Sequence, residues 1–223
     1  MQCQLPVVDK EFLLKCLNDT QVYILGDSNS RAQMHWFRLL TGCEDKIQMT
    51  KVKWHAPLLC VNESLGLYIK YFPHKHPFYG APREYISNTD VHSSLQLMDN
   101  IPKEGKYVVH IHEYLHIVSF HMSVVENHLL LVRDAIKRLV ERNPTAYVIY
   151  QTVHAAFDNG CPVKQRMNAF MLELQRRVLR GVSDRVMLAV TWPMTVASAN
   201  KLCHPTVSDQ FLKFYMGHIC GRF

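Results

Sequence analysis

A strand that runs straight into a helix constrains the fold of this chain more than any other feature. Val22-Tyr23-Ile24-Leu25 is an apolar and aromatic run rich in β-formers, and Gly26-Asp27-Ser28 follows it without a spacer. From Arg31 to Leu40, the residues Met34, Phe37 and Leu40 share one helical face. A strand, a tight turn and a helix N-terminus in that order present side chains at the carboxyl edge of an α/β sheet. Gly26 gives the turn backbone angles that are closed to other residues. Ser28 stands where the first helical N–H groups point outward, and such groups stabilise developing negative charge. Two readings of the turn follow. Asp27, Ser28 and Asn29 are all good N-caps, and capping alone accounts for them. Alternatively, Ser28 is a nucleophile and the rest of the chain supplies its base.

The same alternation recurs downstream. Tyr107–His112 reads as a strand with Val109 and Ile111 on one side. Met122–Arg142 is a long amphipathic helix in which Val125, Leu129, Val132, Ile136 and Leu139 recur at steps of four and three, and Asn143-Pro144 stops it. Tyr147–Thr152 is the next strand. A helix from about Lys164 to Leu179 turns Met167, Phe170 or Met171, Leu174 and Val178 inward, and Gly181 caps it. Val186–Val190 is the last strand, Thr191–Pro205 a loop, and Val207–Cys220 a closing helix with Phe211, Phe214 or Tyr215 and Ile219 toward the sheet. Residues 1–20 form a lead-in with a short helical pattern over the first strand, and Gly42 caps the first long helix. Residues 44–106 break the rhythm: Lys51–Trp54 and Leu67–Phe72 read as short strands among prolines 57, 73, 77, 82 and 102. An irregular insertion over strand ends is where specificity often sits. The pattern predicts one α/β domain over residues 1–223, a mostly parallel sheet in a three-layer α/β/α sandwich.

Composition narrows the partners. At 48% hydrophobic and 20% charged, the chain is not disordered. No stretch reaches the roughly 20 apolar residues of a membrane helix, so no integral membrane segment is expected. The opening Met-Gln-Cys-Gln-Leu-Pro is no signal peptide. The net charge of +6 is dispersed. Its densest cluster, Arg176, Arg177, Arg180 and Arg185, lacks interleaved aromatics and reads as a solvated face, so no nucleic acid is expected. An anionic glycan or a membrane surface also suits a basic protein. Cys3, Cys16, Cys43, Cys60, Cys161, Cys203 and Cys220 form no Cys-x-x-Cys pair, which removes the zinc-ribbon and thioredoxin-like signatures. Dispersed cysteines and the sequons at Asn18 and Asn62 point to an oxidising, secretory compartment. The chain would then be a fragment, a mature form or a truncated gene product, and an odd cysteine count leaves at least one thiol free or paired with another chain.

The base that Ser28 needs has a candidate in His204, in Cys203-His204-Pro205 just before the closing helix. That loop reaches the same sheet edge, and Pro205 stiffens it. The alternative is a solvent-exposed loop histidine. His110, His112 and His116 form a second group, but no cysteine or carboxylate beyond Glu113 completes a ligand set, so neither metal nor cofactor is expected. His116 reads as a polar wall of the pocket.

Taken together, these residues resemble the SGNH (GDSL-like) hydrolase superfamily, more closely its PC-esterase branch and the C-terminal domain of the neurexophilin and PC-esterase (NXPE) family. The resemblance is carried by Cys16-Leu17 ahead of Val22–Ser28, by Arg31, His76-Pro77-Phe78 and Leu115–Phe120, and by Arg142-Asn143-Pro144, Trp192-Pro193-Met194-Thr195, His204-Pro205 and Ile219-Cys220. It implies a flavodoxin-like fold in a secreted or Golgi-lumen protein, and chemistry that transfers or removes acetyl groups on sugars, including sialic acids and plant wall polysaccharides. Ser28 would carry the acetyl group, its N–H would help form the oxyanion hole, and His204 would be the base. Asp27, Gly66 and His116 would furnish oxyanion or pocket groups, and Arg31 would bind substrate. The substrate is then an acetylated glycan or small acyl ester, with an acyl donor if the protein is a transferase. The chain departs from the family pattern in three places. Lys201 stands where Asp usually precedes the histidine by three, with Asn200 one further back. Pro193 stands in place of another acid, and the glycine and Gly-x-Asn-Asp oxyanion blocks are not recognisable, leaving Gly66 as a candidate. A catalytically inactive binding module of the same fold is therefore the second expectation.

Overall fold

A computed structural model describes residues 7–47, 56–74, 92–156 and 165–221. Seven strands form one sheet: β1 (Thr20–Gly26), β2 (Glu44–Asp45), β3 (Leu58–Asn62), β4 (Leu67–Pro73), β5 (Lys106–His112), β6 (Tyr147–Gln151) and β7 (Val186–Ala189). Their order across it is β2-β3-β4-β1-β5-β6-β7. β4, β1, β5, β6 and β7 run parallel, while β2 and β3 form an antiparallel edge. β1 lies between β4 and β5, with Gly26 level with Pro73 on one side and His112 on the other. Chain direction across the sheet reverses around β1, the position where open α/β sheets leave a crevice beyond their carboxyl ends.

Helices cover both faces. Val109 and Ile111 of β5 pack with Val125, Leu129, Val132, Ile136 and Leu139 of α4 (Met122–Arg142). The same core takes in Met98 of α3 (Ser94–Asp99) and Met171 and Leu174 of α5 (Gln165–Leu179). On the other face Val22, Ile24 and Val108 meet Leu13 of α1 (Lys10–Cys16), Met34 and Phe37 of α2 (Ser28–Thr41), and Phe211, Tyr215 and Ile219 of α7 (Ser208–Cys220). The fold is thus α/β, three layers deep, around a mostly parallel sheet. Of the paired alternatives in the sequence, Met171 and Tyr215 are buried, and Phe170 is 67% exposed.

α2 begins at Ser28, with Asp27 as its cap, a turn ahead of the apolar period and within the run of capping residues that the sequence offers. Two elements differ from expectation. The segment 44–106 holds a β3–β4 hairpin closed by a 3-10 turn, Glu63–Leu65, with Gly66 left-handed after it. The 191–205 loop contains a short helix, α6 (Trp192–Ala197), whose early Pro193 sits where a helix needs no N–H donor. The strand expected at Lys51–Trp54 and the His76-Pro77-Phe78 motif lie outside the described residues.

Cys16–Cys220 ties the end of α1 to the end of α7 across 204 residues, and Cys43–Cys60 ties the end of α2 to β3. Cys203 is disulfide-bonded too. Among the described residues, no helix is long and apolar enough to cross a membrane. Disulfides of this kind fit a secreted or lumenal setting.

Candidate active site

Gly26 ends β1 with φ +145°, and a side chain there would run into the carbonyl oxygen of His112. Only glycine lets β1 and β5 meet so closely while the chain swings into α2. Asp27 is buried and caps the helix: Oδ1 accepts from Asn29 N (2.8 Å), and Oδ2 accepts from Tyr114 N (3.2 Å) and Leu115 N (2.9 Å). Its own N–H donates to His112 O. Burial would raise the Asp27 carboxyl, but His112, His116, the Leu115 N–H and His74 together hold it below its ordinary value. Asp27 therefore has no donor to offer an oxyanion, and both carboxylate oxygens are committed. It is a clamp between α2 and the loop after β5.

Ser28 is the first residue of α2. Its Oγ lies 2.7 Å from His204 Nε2, across 176 positions of sequence. In the Nδ1–H tautomer of His204 the hydroxyl donates to Nε2, which is the contact a general base requires. The Ser28 N–H meets no acceptor among the described residues and remains available at the positive end of the α2 dipole. His204 is exposed in the loop between α6 and α7. No acceptor among the described residues meets its Nδ1, and Lys201 is exposed.

His116 stands on the loop after β5. Its Nδ1 is 2.7 Å from Nε2 of buried His74, which follows β4 and donates its backbone N–H to Gly26 O. Burial pushes His116 down; Asp27 counters this, while His74 and His204 add to it. His116 thus belongs to the charge environment of both Asp27 and His204. Arg31 is one turn after Ser28 on α2, half-buried, and burial lowers it against the influence of Tyr71. Gly66 does not join the site. It precedes β4 beside Asp19, at the amino edge of a parallel pair whose other end carries Ser28. Seven residues of β1 at about 3.3 Å each put it roughly 20 Å away.

The chain matches the family model of the NXPE family member 4-like C-terminal domain over residues 1–220. It belongs to the NXPE family. At family level this is a PC-esterase-like module of the hydrolase or acyltransferase type.

Other polar groups surround the NXPE site; of these, His74 and His154 carry no motif in the sequence. His74 was legible only as a histidine directly after a strand. His154, at the exit of β6, is buried and donates from Nε2 to Cys203 O at 3.0 Å. Burial, reinforced by His112, pushes it to about 3, so it is neutral. His110 and His112 are core residues. His110 Nε2 donates to Gln151 Oε1 and its ring stacks on Tyr215, while His112 Nδ1 donates to Gln151 O. Burial pushes His110 to about 3 and lowers His112 as well. Among the described residues, no group of three or more His, Cys, Asp or Glu side chains is placed to hold a metal. Beneath the loop after β5, Glu113 accepts from Ser94 Oγ and, at 2.6 Å, from His128 Nε2 of α4. Burial would raise Glu113, but His128 and the Ser94 hydroxyl bring it to about 2. The pair anchors the loop that delivers Tyr114, Leu115 and His116.

Proposed function

We propose that this NXPE domain cleaves or transfers acyl esters, with O-acetyl groups on glycans as the substrate class, through Ser28 and His204 in a secretory compartment. The observation that carries the reading is the 2.7 Å contact of Ser28 Oγ with His204 Nε2 at a helix N-terminus. In the first step His204 Nε2 takes the hydroxyl proton while Oγ bonds to the acetyl carbonyl carbon. The negative charge on the carbonyl oxygen is met by the Ser28 N–H and the α2 dipole. Collapse of the intermediate breaks the ester bond, and His204 returns the proton to the departing sugar oxygen. The acetyl group now resides on Ser28. Water, or the hydroxyl of a second sugar, then attacks with His204 again as base, completing hydrolysis or transfer. Asp27 stays in its clamp, Arg31 faces substrate from the first turns of α2, and His116 walls the pocket.

A second reading is favoured by one observation: His204 Nδ1 meets no acceptor among the described residues, and Lys201 is exposed. Loss of an orienting acid costs about 10⁴ in rate in a serine triad. A domain that has lost this much would serve as a glycan- or protein-binding module. The test is intact mass after exposure to a fluorophosphonate, with Ser28→Ala as control. One adduct on the wild type and none on the variant supports the enzyme; no adduct on the folded wild type supports the binding module and directs the work to glycan arrays.

A further inference from the structure

A histidine on an exposed loop does not stay within 2.7 Å of a serine unless something holds it, and no acid side chain among the described residues does so. The peptides on either side of His204 are held instead. Upstream, Asn200 is buried, and its Nδ2 donates to Ala155 O (2.7 Å) and Leu202 O (2.8 Å). His154 donates from Nε2 to Cys203 O, the carbonyl of the peptide that enters His204. The buried His154 Nδ1 meets no hydrogen-bond partner among the described residues, which agrees with the proton residing on Nε2. Downstream, Ser208 Oγ donates to Pro205 O, and Ser208 O accepts from Gln33 of α2, the helix that carries Ser28.

We propose that Asn200 and His154 are positioning residues for His204: they fix it through the backbone, from the exit of β6, in the role that an acid side chain fills through the imidazole. This rests on the Ser28–His204 reading above and adds the means by which that pair is assembled. It assigns Asn200 as a donor to carbonyl groups. An aspartate at 200 would aim negative oxygens at the Ala155 and Leu202 carbonyls and push the loop away. A displacement of about 1 Å in a reacting group costs about 100-fold.

The test measures the rate of fluorophosphonate labelling, in which the Ser28 Oγ–P bond forms, the P–F bond breaks and His204 takes the hydroxyl proton. It also measures the His204 ring tautomer by ¹⁵N NMR. The proteins are wild type, Asn200→Asp, His154→Leu and His154→Gln, each shown folded by circular dichroism. Asn200→Asp and His154→Leu should label about 10- to 100-fold more slowly, and His204 should lose the Nδ1–H tautomer that donation from Ser28 imposes. His154→Gln, with an amide N–H near the Nε2 position, should stay close to the wild-type rate. Asn200→Asp and His154→Leu labelling at the wild-type rate with an unchanged tautomer would overturn the proposal. So would His154→Gln as slow as His154→Leu, the mark of a packing role. If Asn200→Asp fails to fold, the two His154 variants decide. If the wild type takes no label, the enzymatic reading fails, and the tautomer alone decides the positioning: a shift in the variants upholds it, and no shift overturns it.

Discussion

Replacing Asp27 by Asn tests whether the strand–turn–helix is held by charge. The carboxylate is 1% exposed and accepts from three backbone N–H groups, at Asn29, Tyr114 and Leu115. An asparagine keeps the shape, but its NH₂ must face one of those donor sets. At best it leaves Asn29 N unsatisfied; at worst, both loop N–H groups. Each lost hydrogen bond to a charged group is worth about 1.5–3 kcal/mol, and a stranded buried donor costs about 1–3 kcal/mol. A net loss of about 4 kcal/mol follows, which for a chain of this size is a fall in Tm of about 8–16 °C. Because the folded-state pKa of Asp27 lies below its ordinary 3.8, the stabilisation is fully present above that value and fades as pH falls through it. The assay is urea unfolding of wild type and Asp27→Asn at neutral pH, repeated downward from pH 5. A gap under 1 kcal/mol at neutral pH, or one that widens on acidification, would refute the clamp. The same variant should label Ser28 more slowly, since the clamp sets where α2 begins.

Gly26→Ala combines a positive φ with collision against a backbone carbonyl that has no room to retreat. It should lower Tm by more than 5 °C, roughly a 2 kcal/mol loss, or prevent folding, as thermal melts will show. The Glu113–His128 pair gives a window in pH. Glu113, held at about 2, contributes above its unfolded value and loses the contribution as pH falls. His128 is pulled down by burial but raised overall by Glu113, so it contributes below its unfolded value of 6.5 and loses that as pH rises through the raised folded value. The Tm difference between wild type and His128→Gln should therefore be largest between about pH 4.5 and 6.5. Replacing Cys16 and Cys220 together by Ala opens a loop of 204 residues and should cost about 5 kcal/mol in the chain-entropy account, measured by urea midpoint with the other disulfides intact.

The three layers were legible because apolar periods in α4 and α7 and the strand runs of β1, β5 and β6 agree with one another. What stayed hidden has physical causes. The start of α2 is set by a capping carboxylate rather than by apolar spacing, so which of Asp27, Ser28 and Asn29 caps it cannot be read from the period. β3 is a short strand that pairs antiparallel through a tight turn, and the prolines around it masked the hairpin. Gly66 was a candidate only because the resemblance calls for an oxyanion glycine block that this sequence does not show; that it sits at the amino edge of the sheet, away from Ser28, is set by strand pairing. The partnership of Ser28 and His204 could be guessed from both lying on strand-to-helix loops. The supports from His74, His154 and Asn200 could not, since each acts through a contact between strand ends far apart in sequence.

The acid's usual position and the fold are independent of one another. Lys201 is exposed, and no ion pair or hydrogen bond among the described residues involves its side chain. An aspartate there would therefore add nothing to the core, and its absence removes nothing from it. Ser28 and His204, by contrast, are brought together by groups that the fold needs in any case: Gly26 at the β1–β5 junction, Asp27 at the cap, and the β6 exit that holds Cys203. A well-formed Ser28–His204 contact follows from a well-folded chain whether or not turnover is fast. Stability measurements report on the clamp and the core; only the reactivity of Ser28 reports on the chemistry. An acid at position 201 could be lost or gained without a structural trace, and the two readings of the domain's function separate at the reactivity of a single oxygen atom, Ser28 Oγ.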